Sequence, residues 1–191
     1  MVYSVVLATL PTLALAFCFG ATSAEEKKEG TPVTIDGLVS VTPGDWKAEK
    51  TPNNLRRLRL AQFRLPRAEG DKEDAELIIN YFGKGSGGDL DANLPRWKAM
   101  VAPPRGKKID DVTHIDKLKA GDVAITTVEI HGTYKGTSFA PIKPKPGYRM
   151  VKVYFDSQNG PFFITLVGPD KTVQKHKKGF QAWLKGFKAK K

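Results

Sequence analysis

Gly83, Gly85 and Gly88, within INYFGKGSGGDLDANLPRW (79–97), fit the G-x-G-x-x-G spacing of a dinucleotide-binding loop. In such a loop the glycines let backbone approach a pyrophosphate, and the N-terminus of the following helix holds its charge. The chemistry needs a parallel βαβ unit around the motif. An apolar run precedes the glycines and a helical pattern follows, but the acids about 20 residues on, Asp110 and Asp111, precede a strand pattern instead of ending one. Two other chemistries miss by one residue. A P-loop needs Gly-Lys-Ser/Thr, whereas Lys84 is followed by Gly85. A nucleophile elbow around Ser86 needs glycine where Lys84 stands. The stretch therefore reads as a strand-to-helix turn, where glycine adopts positive φ at little cost. The second reading is an anion site at the helix N-terminus, aided by Lys84.

Other reactive types are sparse. His114, His131 and His176 have no metal-ligand spacing, although His114 and Asp116 share a strand face. Asp110 and Asp111 are adjacent, so on a strand they point to opposite faces and cannot act as a pair. Ser86 has no evident base. Trp97 and Trp183 lie on helical stripes and read as core, while Trp46 follows TPGD and is less determined. Tyr134 and Tyr148 flank KGTSFAPIKPKPG (135–147), a proline-rich crossing loop. No catalytic, cofactor-binding or metal-binding residue is assigned, and no cofactor is called for.

These residues must be placed by elements that the periodicity outlines. LRLAQFRLP (58–66) reads as a strand with a bulge near Gln62, and AELIINYF (75–82) as a second strand. Leu90, Leu94, Trp97 and Val101 make a helical stripe, with Asp89 or Asp91 as cap and Pro95 in or near the first turn. VTHIDKL and DVAITTVEIHGTY are β-branched strands. YRMVKVYF and PFFITLV pair across DSQNG, with Pro161 suggesting a loop longer than two residues. Asp170 caps a closing helix whose stripe is Val173, Phe180, Trp183, Leu184 and Phe187. Lys171, Lys175, Lys178 and Lys185 fall on its opposite side. A membrane-surface helix would show the same pattern, with the stripe in lipid. Strands, helix, strands, helix predicts an α+β fold: a largely antiparallel sheet flanked by helices.

The chain has 191 residues, 40% hydrophobic and 27% charged, as for one soluble domain. Residues 2–24 carry no charge, and an apolar core from Val5 to Phe19 ends in small residues. This reads as a signal peptide cleaved near Ala24, giving a periplasmic or secreted protein, with a retained anchor at 5–19 as the alternative. Phe17 and Phe19 make Cys18 a poor lipidation site, so the mature chain has no cysteine, no thiol chemistry, no disulfide and no transmembrane helix. Residues 25–35 read as a flexible linker and 36–188 as one domain. Net charge is +11, and the last 21 residues hold eight lysines and no acid. That favours an anionic partner, a lipid surface or envelope polymer before nucleic acid, unless the lysines are only a solvated face.

LRLAQFRLP, AELIINYFGKGSGGDLDANLPRW and GYRMVKVYFDSQNGPFFITLVGP, with the closing amphipathic helix, resemble a small family of uncharacterised exported bacterial proteins. The resemblance covers residues 50–188 and implies a PsbP-like α/β/α sandwich, a layout used for accessory, assembly or binding modules. It implies no catalytic residue. The expectation is a non-catalytic module for a protein or anionic envelope component. Its candidate contacts are Lys84, Tyr134, Tyr148, Lys171, Lys175, Lys178 and Lys185. A hydrolase using unpaired carboxylates is the alternative.

Overall fold

The computed structural model describes residues 29–137 and 140–190; the expected leader and most of the linker's first half lie outside them. Strands β1 (Pro32–Ile35), β2 (Leu38–Val41), β3 (Lys47–Glu49), β4 (Arg59–Leu65) and β5 (Ala75–Tyr81) precede helix α1 (Leu90–Ala99). Then come β6 (Val101–Ala102), β7 (Thr113–Ala120), β8 (Val123–Gly136), β9 (Pro141–Ser157) and β10 (Gly160–Pro169). Helix α2 (Asp170–Lys185) and β11 (Lys188–Ala189) close the described chain.

The main sheet runs β3-β4-β5-β10-β9-β8-β6, with β7 also paired to β8. Its pairings are antiparallel. Strand alternation sends two apolar sets to opposite faces. Phe155, Ile164, Leu166, Leu77 and Ile79 face α2, together with Val173, Phe180, Trp183, Leu184 and Phe187. Val128, Ile130, Met150, Phe163 and Val167 pack on the other side with Trp97 and Met100 of the α1 segment. The expected α+β class, a mostly antiparallel sheet with a helix on either side, is therefore the observed one.

Several local expectations give way. The linker does not run to residue 35: β1 pairs with β2, and Val33 and Ile35 are buried. A second sheet, β1-β2-β11, joins the two ends of the described chain, and no local pattern announces such a distant pairing. The β4 bulge lies between Arg59 and Ala61 rather than near Gln62. Residues 141–147 are not a loop but the start of β9, paired only to β8, because β10 joins from Tyr148 onward. Prolines are tolerated where a strand has one neighbour, since their missing N–H then breaks no second ladder. The β9–β10 turn holds only Gln158 and Asn159. Pro161 fits because pairing of β10 to β5 starts at Phe162.

Candidate binding surface

α2 is built as two faces. About 100° per residue brings Val173, Phe180, Trp183 and Leu184 to one side, and each is at most 3% exposed. Phe187, just past the helix, completes the stripe against Phe155 at 5.3 Å between ring centroids. The stripe is core, not a lipid-facing surface. Trp46 is core as well: it meets Trp183 edge-on at 5.7 Å and also borders Phe180 and His176. Both indole N–H groups are sealed inside this aromatic cluster without an acceptor among the described residues.

On the outer side, Lys171, Lys175, Lys178 and Lys185 are exposed. None of the four has a carboxylate within ion-pair distance among the described residues; Lys175 donates only to the carbonyls of Pro66 and Arg67, at 3.3 and 3.2 Å. The helix is clamped at its start by charges beneath it. Glu129 binds Arg149 and accepts from Lys177 at 2.8 Å, while Arg149 Nε donates to Asp170 at 2.8 Å. Asp170 is thus not the expected cap but the first helical residue, turned toward Arg149. The cap comes from Asp71 in the β4–β5 link, whose carboxylate accepts from Thr172 N at 2.9 Å and Thr172 Oγ1 at 2.6 Å.

Beside the lysine face lies an open groove of about 670 Å³, between the C-terminal half of α2 and β2 with β11. Gly179, Ala182 and Gly186 give it a low floor, and Val39, Val41 and Pro43 form the opposite wall. Only the absence of a side chain lets the helix come this near: a Cβ on Gly179 would stand 3.2 Å from Pro43, and one on Gly186 would stand 2.9 Å from Ser40 Oγ. Lys188 and Lys190 also line it. The sequence reading missed this groove, since three small residues on a helix announce nothing until β2 is placed opposite.

Tyr134 and Tyr148 come together elsewhere, across the β8–β9 ladder on the α1 side of the sheet. Their rings are parallel within 5°, 6.4 Å apart. Tyr148 donates to Glu73 at 2.8 Å, and Lys145 binds the same carboxylate. The hydrogen bond from Lys145, then that from Tyr148, holds the Glu73 carboxyl below its ordinary range. Burial pushes both tyrosine hydroxyls up.

Lys84 is exposed in the glycine loop, which packs against the β9–β10 turn: a Cβ on Gly160 would stand 3.1 Å from the Lys84 Cα. The structure therefore keeps Lys84, the tyrosine pair and the α2 lysines in three places. No strand pairs in parallel with β5 among the described residues: β5 is flanked by antiparallel β4 and β10, and β6 after α1 lies at the other side of the sheet against β8. The N-terminus of α1 is already occupied by acids. Asp89 accepts from Ala92 N at 2.8 Å, and Asp91 follows in the first turn. An anion there would meet like charge.

The remaining candidates are structural in their contacts. Asp110 and Asp111 sit in a 3-10 turn, not on a strand; Asp110 binds Lys98 at 2.5 Å and Asp111 accepts from Lys108 N at 2.8 Å. His114 and Asp116 do share a face, at 3.0 Å. His176 is buried and bonds the Pro66 carbonyl at 2.8 Å. No group of three metal-ligating side chains converges, and no helix is long and apolar enough to cross a membrane, among the described residues.

No protein-family model and no curated protein matches the chain. Among solved structures, it is similar to PA94 of Pseudomonas aeruginosa, a protein of unknown function. That match has 10% identity and a TM-score of 0.46, and covers 86% of this chain and 99% of that one. It is also similar to the Ran-binding protein Mog1p of Saccharomyces cerevisiae, with 8% identity, a TM-score of 0.45 and coverage of 84% and 95%. Both likenesses are too slight to carry a fold family or a function across.

Proposed function

We propose that this protein is an exported, non-catalytic binding module of PsbP-like layout, whose contact surface for an anionic envelope component is the lysine face of α2. One observation carries the reading. The apolar stripe of α2 is wholly committed to the core, while four lysines on its other side stand exposed and unneutralised among the described residues. Lysines that served only as staples would be paired, as Lys177 is with Glu129. A rigid helix holding unpaired cations is a surface on which anions gain at little reorganisation cost.

The contacts of two carboxylates count against a general-acid role for them in the hydrolase alternative. A general acid at neutral pH needs a raised pKa, whereas the partners of Glu73 lower it. Glu129 is engaged by two cations.

The test is an isotherm of the full chain with heparin as a polyanion probe. Binding should be saturable and weaken as salt rises, because exposed charges are screened. Changing Lys171, Lys175, Lys178 and Lys185 together to Glu should abolish it with the fold intact. Binding that survives both salt and charge reversal sinks the proposal.

A further inference from the structure

We infer that the groove beside α2 receives the acyl chain of an anionic lipid, with the head group held by Lys188 and Lys190. The inference rests on the anionic-partner reading above and names the ligand class. At about 670 Å³ the groove is of ligand-pocket size. Its walls are mainly apolar, and Val41 stands 58% exposed there, an apolar side chain left in water. Gly179 and Gly186 bring the helix against Pro43 and Ser40, so these contacts close the base of the groove, and a slender chain would lie against Ala182 and Val41, both exposed.

Two features favour an acyl chain over a peptide. The hydroxyls of the groove are already engaged. Ser40 Oγ donates to the Trp183 carbonyl at 2.8 Å, and Thr42 Oγ1 accepts from Thr31 N at 2.9 Å. A peptide backbone would bring an N–H and a C=O at every residue, for which the described side chains of the groove offer only these two hydroxyls and the lysines, whereas hydrocarbon needs no partner. The charge is also one-sided: Lys188 and Lys190 line the groove, both exposed, and no acid lines it among the described residues. An apolar trough with a cationic rim complements an anionic amphiphile, tail inside and head at the lysines.

The experiment titrates the full chain with oleate, oleyl alcohol and acetate, followed by calorimetry and by tryptophan fluorescence, since Trp183 lines the groove. Oleate should bind saturably below its micelle concentration, oleyl alcohol more weakly, and acetate not at all. Ala182→Trp, at an exposed helical position, should fill the trough and weaken oleate about tenfold or more, leaving heparin binding unchanged. Ala182→Leu stands in should the larger residue disturb the circular dichroism. Changing Lys188 and Lys190 together to Glu should weaken oleate about tenfold and barely touch oleyl alcohol. Oleate binding indifferent to both sets of changes overturns the inference. So does acetate binding as tightly as oleate, or a dimer of this chain that Ala182→Trp dissolves. Loss of oleate binding alone leaves the heparin result standing, and loss of heparin binding alone condemns the lysine face but not the groove.

Discussion

α1 and α2 cover opposite faces of one sheet, yet they are held in different ways. α2 buries six of its 16 residues, among them Val173, Phe180, Trp183 and Leu184. α1 buries two of ten, Asn93 and Trp97, and carries Pro95 beyond its first turn. Beside the packing of Trp97, α1 has a polar tie. Asn93 donates to the carbonyls of Gly87 and Asp89 at 2.8 and 2.7 Å, tying the helix to the glycine loop. Gly87 itself, at φ 87°, lies where a Cβ would stand 2.6 Å from the Phe163 ring. The glycines thus serve a tight turn, while apolar burial is concentrated under the helix that displays the lysines. The face proposed for binding is then the better anchored of the two.

The largest effect should come from the aromatic anchors. Trp183→Ala should cost about 3–5 kcal/mol, read by urea unfolding of the full chain. Trp97→Ala, in the smaller cluster, should cost at least about 1 kcal/mol less. Equal costs would erase the contrast between the helices. Next comes the charge clamp. Glu129→Gln leaves Arg149 and Lys177 short of a partner, so a loss of about 2 kcal/mol is expected. Asp110→Asn, which removes the exposed partner of Lys98 on the α1 side, should stay within about 0.5 kcal/mol.

The cap is smaller. Asp71→Ala should cost about 1 kcal/mol, and a local readout, amide exchange in the first turn of α2, should show it before global unfolding does. No change in exchange there would mean that Asp71 does not hold that turn. A contrast of another kind is a pH effect on the α1 face. Lys152 donates to Thr165 Oγ1 at 2.8 Å and lies 6.0 Å from the Trp97 ring centre. The residue is half-buried, but its ammonium is enclosed, and burial brings its pKa from 10.5 down to about 8. The folded chain then binds fewer protons than the unfolded chain between those values, so stability should rise with pH from about 8 to 10.5. Lys152→Met should flatten that rise; an unchanged profile would show that another group causes it.

How legible this was follows from where each determinant lies. The α2 stripe and strand 75–81 were readable because period and burial agree locally, and strand 160–169 because it is an unbroken apolar run after a turn signal. The β1-β2-β11 sheet was not, since β11 meets β2 across most of the chain. The α2 cap was misassigned to Asp170 because the carboxylate that accepts from Thr172, that of Asp71, is 101 residues away in the chain. The prolines of β9 concealed a strand, being tolerated where only β8 lies alongside. Of the candidate contacts, the four α2 lysines do share one exposed face, while Tyr134 and Tyr148, expected only to flank a loop, meet across a strand pair. Their separation from that face, and the groove, depend on tertiary placement that no local pattern encodes.

The central claim is that α2 keeps its apolar side for the core and offers its lysines to an anion. Solution NMR of the full chain during heparin addition tests it most directly. Resonances of Lys171, Lys175, Lys178 and Lys185 should move together and return as salt is added, while the indole signals of Trp46 and Trp183 stay in place. Shifts confined to Tyr134, Tyr148 and Lys145, with the α2 lysines unmoved, would contradict the account.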